Sequence, residues 1–485
     1  MKRIFIVFLT IFIVPLIARA DDCTGYTFKV NDGCYNYTTA NYNLSNALTN
    51  GTTIYQLNDT DDLYLSNRST ISELTLDLQG HNIKALRVAA ESNPLTLHII
   101  NSSSDIGSID KLTTGYYSSA TTPSPDTKKV TVDVNNTTIN ELLDIYPDGE
   151  VILNNCKSPN FGSKVDYTDK TYIKNYGYLT INSGTYNASK LIYNYNKLTI
   201  NDGTFNGNVF YNGNKNVVND SWRDNAATMT IKGGTFTSNS KSSLNVLFSN
   251  IAKEGTPSNA LINIDGGTFK SANGYLVNNS NGQVNIKNGS SNEDNYSSPL
   301  FINTGGIINM DGGNFATSTD EVAIVSQSGI FNLNNGTIDI RKSPSVSVNA
   351  FNFGTEEEGK NPFIYIKSKT IAENFDLPSD DYKILYEKYK DGSYKVSLAD
   401  KDTPDLKEYV LGDWNDDSKF NGTDIALYRK YFANAEEEVT IDGEAKTYEG
   451  FTPSHQDFLD VNDDKTLNLA DLVSVRLLAA QLNIN

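Results

Sequence analysis

The chain is poor in residues that mark several common classes of protein. Only three cysteines occur in 485 residues, which excludes a scaffold held together by disulfides. Lys and Arg number 40 against 58 Asp and Glu, and the net charge is −18. A nucleic-acid partner is therefore disfavoured, because phosphate contacts need clustered basic residues. Histidine occurs three times, and we expect structural or solvent-exposed roles for His81 and His455.

Long hydrophobic runs are also lacking, apart from one at the start of the chain. Two basic residues precede the apolar run Ile4–Ile17, which is followed by the small-residue end Ala18–Ala20. This pattern is typical of a secretory signal peptide, and the run is too short for a comfortable membrane span. We predict that residues 1–20 are a signal peptide and that the mature chain is secreted and extracellular, without a membrane anchor.

The three cysteines have different expected roles. Cys23 and Cys34 flank a short polar segment just after the predicted cleavage site. An exported chain could close them into a local disulfide loop, and a reactive thiol pair is the alternative. Cys156 has no partner left, and we expect a small buried residue there, not a nucleophile.

The middle of the chain contains a repeat. A Leu-Thr-Ile-Asn-x-Gly-Thr-aromatic motif at 179–186 returns with small changes at 198–205, 229–236 and 262–269, and in weaker form up to residue 338. Alternating apolar and polar residues predict a strand with one buried face, and the glycine predicts a corner with positive φ. Repeats of roughly 20–30 residues indicate a solenoid. The first apolar residues of the motif should form one inner column: Leu179, Leu198, Met229, Ile262, Val284, Ile308 and Phe331.

We therefore predict an all-β fold, a parallel β-helix over residues 71–365. Its opening segment, Leu74–Ile83, resembles the first coil of the pectin-lyase-like superfamily, which implies a right-handed β-helix. Residues 21–70 are assigned to an N-terminal cap region. Residues 366–405 are assigned to a C-terminal hairpin cap and linker, because Asp391-Gly392 between two apolar runs is a hairpin signal.

Two segments near the C-terminus share one spacing of oxygen-bearing residues. Side-chain oxygens at positions 1, 3, 5, 9 and 12, with a backbone carbonyl at position 7, are typical of a calcium loop. Each segment then enters an apolar stretch with helical spacing. The first set is Asp413, Asn415, Asp417, Lys419, Asn421 and Asp424, and the second is Asp460, Asn462, Asp464, Thr466, Asn468 and Asp471.

These two segments resemble the duplicated loop–helix unit of dockerins, over about residues 406–485. Asp at position 12, an apolar residue at position 8 and Asn at position 9 carry the resemblance. It implies a small all-α unit that binds two calcium ions and docks to a cohesin domain of a scaffold or surface protein. The partner-reading positions that it implies are Gly422, Thr423, Arg429 and Lys430 in one copy and Leu469, Ala470, Arg476 and Leu477 in the other.

Three departures from that family pattern affect what we expect. Position 6, where glycine is preferred, holds Ser418 and Lys465, which predicts weaker calcium sites. An acidic insertion, Ala433–Gln456, separates the two copies. The partner-reading residues differ between copies, which predicts one docking face and not two equivalent ones.

A carbohydrate contact is also considered at a long loop between coils. This loop, residues 212–228, contains Trp222 and Arg223. An aromatic face with flanking charges suits a sugar ring. The alternative is that Trp222 covers apolar surface beside the solenoid.

Two functions follow from these features. The first is a non-catalytic secreted protein whose β-helix meets a polysaccharide or another surface and whose dockerin-like tail attaches it to a cohesin-bearing scaffold. The second is a polysaccharide lyase or glycoside hydrolase of a cellulosome-like complex. We assign no catalytic residues, because paired carboxylates do not recur at facing positions of successive coils. The first function is preferred.

Overall fold

The computed structural model describes most of the chain. The described ranges are 23–36, 47–67, 71–90, 93–115, 129–158, 173–187, 191–207, 209–213, 227–237, 246–252, 260–270, 275–291, 299–343, 346–348, 350–433, 439–441 and 444–484. The predicted signal peptide lies outside the described residues, as do Trp222 and Arg223.

Within those ranges the chain is mostly β-strand, and 34 strands form one continuous, largely parallel sheet. Each strand pairs with its equivalent one coil later, so the strands fall into three faces of a solenoid, consistent with a β-helix-like fold. Face A consists of Thr52–Gln56, Glu73–Asp77, Leu95–Ile100, Val130–Asn135, Gly149–Asn154, Tyr178–Ile181, Lys197–Ile200, Ala227–Ile231, Ala260–Phe269, Gln283–Ser291, Ile307–Ala316, Ile330–Asp339 and Phe351–Phe353.

Face B follows the corner after face A. Several long strands bend around a corner and contribute to two faces. Strands confined to face B are Cys156–Ser158, Gly184–Asn187, Thr204–Asn206, Thr235–Thr237 and Pro362–Ile366. Strands that run from face B into face C are Thr60–Asn67, Asn82–Ala90, Ser108–Thr114 and Thr138–Ile145.

Face C completes each coil. Its parallel pairing continues almost to the end of the solenoid. Its own strands are Ile173–Asn175, Leu191–Asn194, Val209–Gly213, Val246–Ile251, Tyr275–Ser280, Phe301–Thr304, Ile324–Ser326 and Ser347–Val348.

The two ends of the solenoid are closed by antiparallel strands. At the start, Phe28–Val30 pairs with Gly33–Tyr35 and with Thr52–Gln56, and Cys23 is disulfide-bonded to Cys34. Parallel pairing already begins at Thr52, inside the segment assigned to the N-terminal cap. At the other end, the predicted hairpin forms from Tyr382–Lys388 and Tyr394–Asp400, and its second strand pairs antiparallel with Pro362–Ile366. An antiparallel strand leaves no equivalent position for another parallel coil.

The repeat determines what the interior contains. The predicted inner column from Leu179 to Phe331 is in register from coil to coil, and every member is buried. The motif glycines adopt positive φ, for example +137° at Gly184 and +103° at Gly234, which confirms the predicted corner. Aromatic residues two positions later also stack, with ring centroids 4.8 Å apart between Phe205 and Phe236. Each large buried side chain contributes roughly 1.5–3 kcal/mol.

Buried asparagines line the corner between faces C and A. Each of the first five donates its amide hydrogen to the amide oxygen of the next, one coil on, at 2.7–2.9 Å, and the last donates to backbone carbonyls. Such a ladder satisfies polar groups that burial would otherwise leave unpaired. Its members are Asn175, Asn194, Asn212, Asn250, Asn279 and Asn303.

Cys156 takes the place of a motif glycine. It pairs in register with Gly184 and is fully buried, and burial raises the pKa of its thiol to about 12. A thiol in that state is a poor nucleophile. The expectation of a small buried residue is confirmed.

A separate C-terminal unit follows the hairpin. Its described residues form three helices, α1 (Gly422–Ala433), α2 (Pro453–Leu459) and α3 (Leu469–Gln481), around a core that includes Trp414, Tyr428, Leu459 and Val475. The unit is not all-α as predicted, because the insertion forms the two-stranded pair Val439–Ile441 and Glu444–Lys446. Single 3₁₀ turns are Lys369–Ile371 and Tyr448–Gly450. None of the described helices combines the length and apolar character needed to cross a membrane.

Candidate metal centre and docking face

The aspartate at position 12 closes each of the two loops on itself. In the first loop, Asp424 Oδ1 accepts the backbone N–H of Trp414 at 2.9 Å, and Oδ2 accepts that of Asn421 at 2.8 Å. In the second loop, Asp471 Oδ1 accepts from Asn462 at 3.2 Å and Oδ2 accepts from Asn468 at 2.8 Å. The two loops therefore share one fold, as their common spacing predicts.

The aspartate at position 1 is held from the other side of each loop. Asp413 accepts the backbone N–H groups of Asp417 and Ser418 at 3.2 and 2.8 Å. Asp460 accepts those of Asp464 and Lys465 at 3.3 and 2.9 Å. These bonds fold the backbone of each loop back on itself, as the sharp turn of a calcium loop requires.

That turn requires left-handed backbone at two positions of each loop. Position 6 has φ of +66° at Ser418 and +68° at Lys465, where glycine would be unstrained. Position 4 has φ of +58° at Asp416 and +59° at Asp463, and Asp tolerates this region better than most residues. The sharp turn therefore forms without glycine, at a conformational cost.

The donor set suits a hard cation such as calcium. In the second loop, one carboxylate oxygen from each of Asp460, Asp464 and Asp471 lies within 4.8 Å of the others. Calcium takes 6–8 oxygen ligands at about 2.3–2.6 Å, and the side-chain and carbonyl oxygens of each loop supply that chemistry. When bound, the ion would neutralise carboxylates that the fold has crowded together.

The pKa values of the loop aspartates also favour a bound cation. Burial and the neighbouring charges of Asp424 and Asp417 raise the pKa of Asp413 to about 6. Burial also raises the pKa values of Asp424 and Asp471. Burying carboxylates next to one another is unfavourable unless a cation or a proton compensates the charge. This is a fit between the site and a metal ion that the spacing alone does not show.

The asparagine at position 9 links each loop to its helix. Asn421 Oδ1 accepts the N–H of Thr423 at 2.8 Å, and Asn468 Oδ1 accepts that of Ala470 at 2.7 Å. Asn468 and Asp471 form a reciprocal capping box at the start of α3. Ordering the loop therefore also orders the first turn of the helix.

One lysine from outside each loop reaches its position-4 aspartate. Lys407 contacts Asp416. Lys390, in the hairpin turn that closes the solenoid, lies 3.2 Å from Asp463 and donates to the backbone carbonyl of Asp460 at 2.8 Å. The second loop is therefore tied to the solenoid cap, and the first loop to the linker.

His455 has a structural position, as expected. It is buried, its Nε2 lies 2.9 Å from the backbone carbonyl of Asp413, and its ring stacks on Tyr409 at 4.7 Å. Tyr428 donates its hydroxyl to the carbonyl of Leu459 at 2.7 Å. The insertion and both loop–helix copies thus pack around one core.

The predicted partner-reading residues lie on the outer surface of α1 and α3. Thr423, Arg429 and Lys430 are exposed on α1, and Gly422 is half-buried. All four equivalents on α3 are exposed: Leu469, Ala470, Arg476 and Leu477.

Helix α3 also presents an apolar stripe that the sequence analysis did not single out. Leu469, Val473 and Leu477 are 64%, 57% and 61% exposed and lie four residues apart, so they share one helix face. The signal was present as i, i+4, i+8 spacing, but Val473 is not one of the positions implied by the dockerin resemblance. The equivalent positions on α1 are Gly422, Ala426 and Lys430.

No family model, curated protein or solved structure matches this chain. The features of the chain that bear on its function are the geometry of the two loops, the exposed face of α3 and the solenoid surface.

Proposed function

We propose that this chain is a secreted protein in which a right-handed parallel β-helix is attached to a cohesin-bearing scaffold or cell surface by a calcium-dependent, dockerin-like unit. The observation that carries the proposal is one unit with two self-closed oxygen loops next to an exposed apolar helix face. Calcium would fold the loops, and the folded loops would present α3 to the partner.

The apolar stripe supports docking because it is a costly surface to leave in water. Its three large aliphatic side chains are more than half exposed and adjacent on one helix. Contiguous exposed apolar surface on a soluble protein commonly marks an interaction site. Arg476, exposed beside the stripe, adds a charged group to its rim.

The second part of the proposal concerns the solenoid. Its interior is filled with side chains, so any ligand would meet its outer faces. We propose that these faces contact polysaccharide, and that calcium-dependent docking holds the protein near its target. Under this proposal the solenoid binds and does not cleave.

The test uses the full mature chain and a panel of immobilised cohesin domains. Binding should occur with 1–2 mM calcium, on the order of the concentrations at which extracellular calcium sites operate, and should be lost in EGTA. The double variant Asp413→Ala/Asp460→Ala should bind as poorly as the chelated protein. Failure of the wild type to bind any cohesin in calcium would refute docking to a cohesin.

A separate assay tests the polysaccharide part. Release of reducing ends or unsaturated products from a polysaccharide panel, with and without calcium, would replace the binding role by that of a lyase or hydrolase. We expect no product under either condition.

A further inference from the structure

A groove of about 420 Å³ runs across the last coils of the solenoid, and none of its lining residues belongs to either calcium loop. Its wall is formed by face B, where Asn314 pairs in register with Thr337, and Ala316 with Asp339, which in turn pairs with Tyr365. Strands in a sheet lie about 4.8 Å apart, so this wall presents one outward side chain per coil at a regular interval. The volume falls within the range of ligand sites, about 300–1,000 Å³.

One end of the groove is aromatic and charged. Tyr365 comes from the last parallel strand and Tyr389 from the hairpin that closes the solenoid, and their ring centroids are 6.1 Å apart. Arg341 lies over both rings, 5.4 and 5.9 Å from their centroids. Its guanidinium also donates to both carboxylate oxygens of Asp339, at 2.7–3.1 Å.

The other end is polar above an apolar base. Phe315 is buried beneath the groove and Ala316 lies beside it. The side chains of Asn314 and Thr337 line the groove and form no side-chain hydrogen bond with any other part of the chain that the structure describes. An amide and a hydroxyl are therefore available to a ligand.

We propose that this groove is a subsite for a neutral sugar unit of a glycan. Tyrosine rings can pack against the C–H face of a pyranose, while the carboxylate and guanidinium can accept from and donate to neighbouring hydroxyls. Asn314 and Thr337 would serve a second sugar unit along the coils. The inference rests on the proposed function for its ligand class, since there the solenoid contacts polysaccharide.

Charge decides between neutral and acidic sugars. Arg341 is already paired with Asp339, so the described residues that line the groove include no unpaired cation for a uronate carboxylate, and Asp339 would repel one. The whole chain, with net charge −18, adds to that repulsion. Burial raises the pKa of Tyr389 to about 12, so its hydroxyl stays neutral and can hydrogen-bond over the physiological pH range.

The experiment is calorimetric titration of the full mature chain with soluble neutral β-linked oligosaccharides and, separately, with oligogalacturonates. Tyr389→Ala should weaken binding of the neutral ligand by about tenfold or more, the size expected when one aromatic anchor is removed. Tyr178→Ala is the matched control, because Tyr178 is an exposed tyrosine several coils away, and should leave binding unchanged.

A second variant avoids disturbing the cap. Thr337→Lys places a long side chain in the groove without removing any side-chain hydrogen bond to the described residues, and should also weaken binding by about tenfold or more. A thermal melt checks that each variant is folded.

The outcomes separate the groove from the docking proposal. Groove binding should persist in EGTA, whereas cohesin docking should not. Binding that both groove variants retain, tighter binding of oligogalacturonates than of neutral ligands, or no binding of any neutral oligosaccharide would each overturn the inference, whatever the cohesin assay shows.

Discussion

The two loop–helix copies in the C-terminal unit have the same interior and different exteriors. Both loops use aspartates at positions 1 and 12 to accept equivalent backbone N–H groups, at distances that differ by only a few tenths of an ångström. On the following helices, Leu469, Val473 and Leu477 correspond to Gly422, Ala426 and Lys430. Only α3 is apolar on its outer face. Under the proposed function, metal binding and partner recognition would therefore be carried by separate sets of residues on one framework.

The largest expected effect is loss of the ion from both loops together. Chelation should lower the melting temperature of the C-terminal unit and leave that of the solenoid unchanged, because calcium at 100–1,000 times its Kd stabilises a folded site by about 3–4 kcal/mol. Fluorescence of Trp414, which is buried in the unit's core, reports the change. A Trp222→Phe background removes the other tryptophan. An unchanged thermal midpoint of Trp414 emission and unchanged protease resistance of residues 406–484 in EGTA would contradict the metal assignment.

The next largest effect should distinguish the outer face of α3 from that of α1. Leu477→Glu on α3 should weaken cohesin binding by about 30-fold or more, since it places a charge within the apolar stripe. Lys430→Glu, the equivalent position on α1, should change affinity by less than about threefold. Both are read by surface plasmon resonance in calcium. Equal losses from the two variants would mean that both helices dock.

A smaller effect concerns the strained turn that both loops share. Ser418→Gly and Lys465→Gly should each stabilise the calcium-bound unit by about 0.5–1 kcal/mol, because glycine adopts positive φ without a Cβ clash. Part of the gain is offset by the greater freedom of glycine in the unfolded chain. Ser418→Ala keeps the Cβ and should give no gain in thermal unfolding midpoint. A gain equal to that of glycine would show that φ is not the cause.

The smallest effect is a pH response that differs between the loops. The pKa of Asp413 in the folded unit is raised to about 6. Protonation of Asp413 therefore stabilises the metal-free fold. This stabilisation is complete below the pKa of the unfolded state and is lost as pH rises through about 6. Without calcium, lowering the pH from 7 to 5 should raise the melting temperature of the unit by a few degrees. Asp413→Asn should flatten that rise.

In the second loop, Asp464 provides the control. Hydrogen bonds from Thr466, Asn468 and Asn462 lower the pKa of Asp464 to about 2, so it stays charged between pH 7 and 5. Asp464→Asn should leave the slope unchanged. With calcium bound the sign should reverse, because protons then compete with the ion for Asp413. A melting temperature that falls on acidification in EGTA would refute the assignment to Asp413.

Much of the solenoid could be read from the sequence because its period is local. An alternating run such as Leu179-Thr180-Ile181 predicts a strand with one buried face, and each repeated glycine predicts a corner of the coil. The buried asparagine ladder was not predicted, although Asn194, Asn212 and Asn250 each follow an apolar face C run. Nothing in one coil says that such an asparagine points inward. That depends on the next coil supplying an amide oxygen.

The candidate sites also differ in how far the sequence predicts them. The sequence by itself determined the oxygen spacing of both loops, because all the ligands of one loop lie within twelve consecutive residues and the local backbone brings them together. Only the tertiary structure decided which helix face stays exposed, since that depends on how α1 and α3 pack around Tyr428 and Val475. It also decided the groove and the contact of Lys390 with the second loop, because these join residues that are far apart in the chain and near one another only after folding.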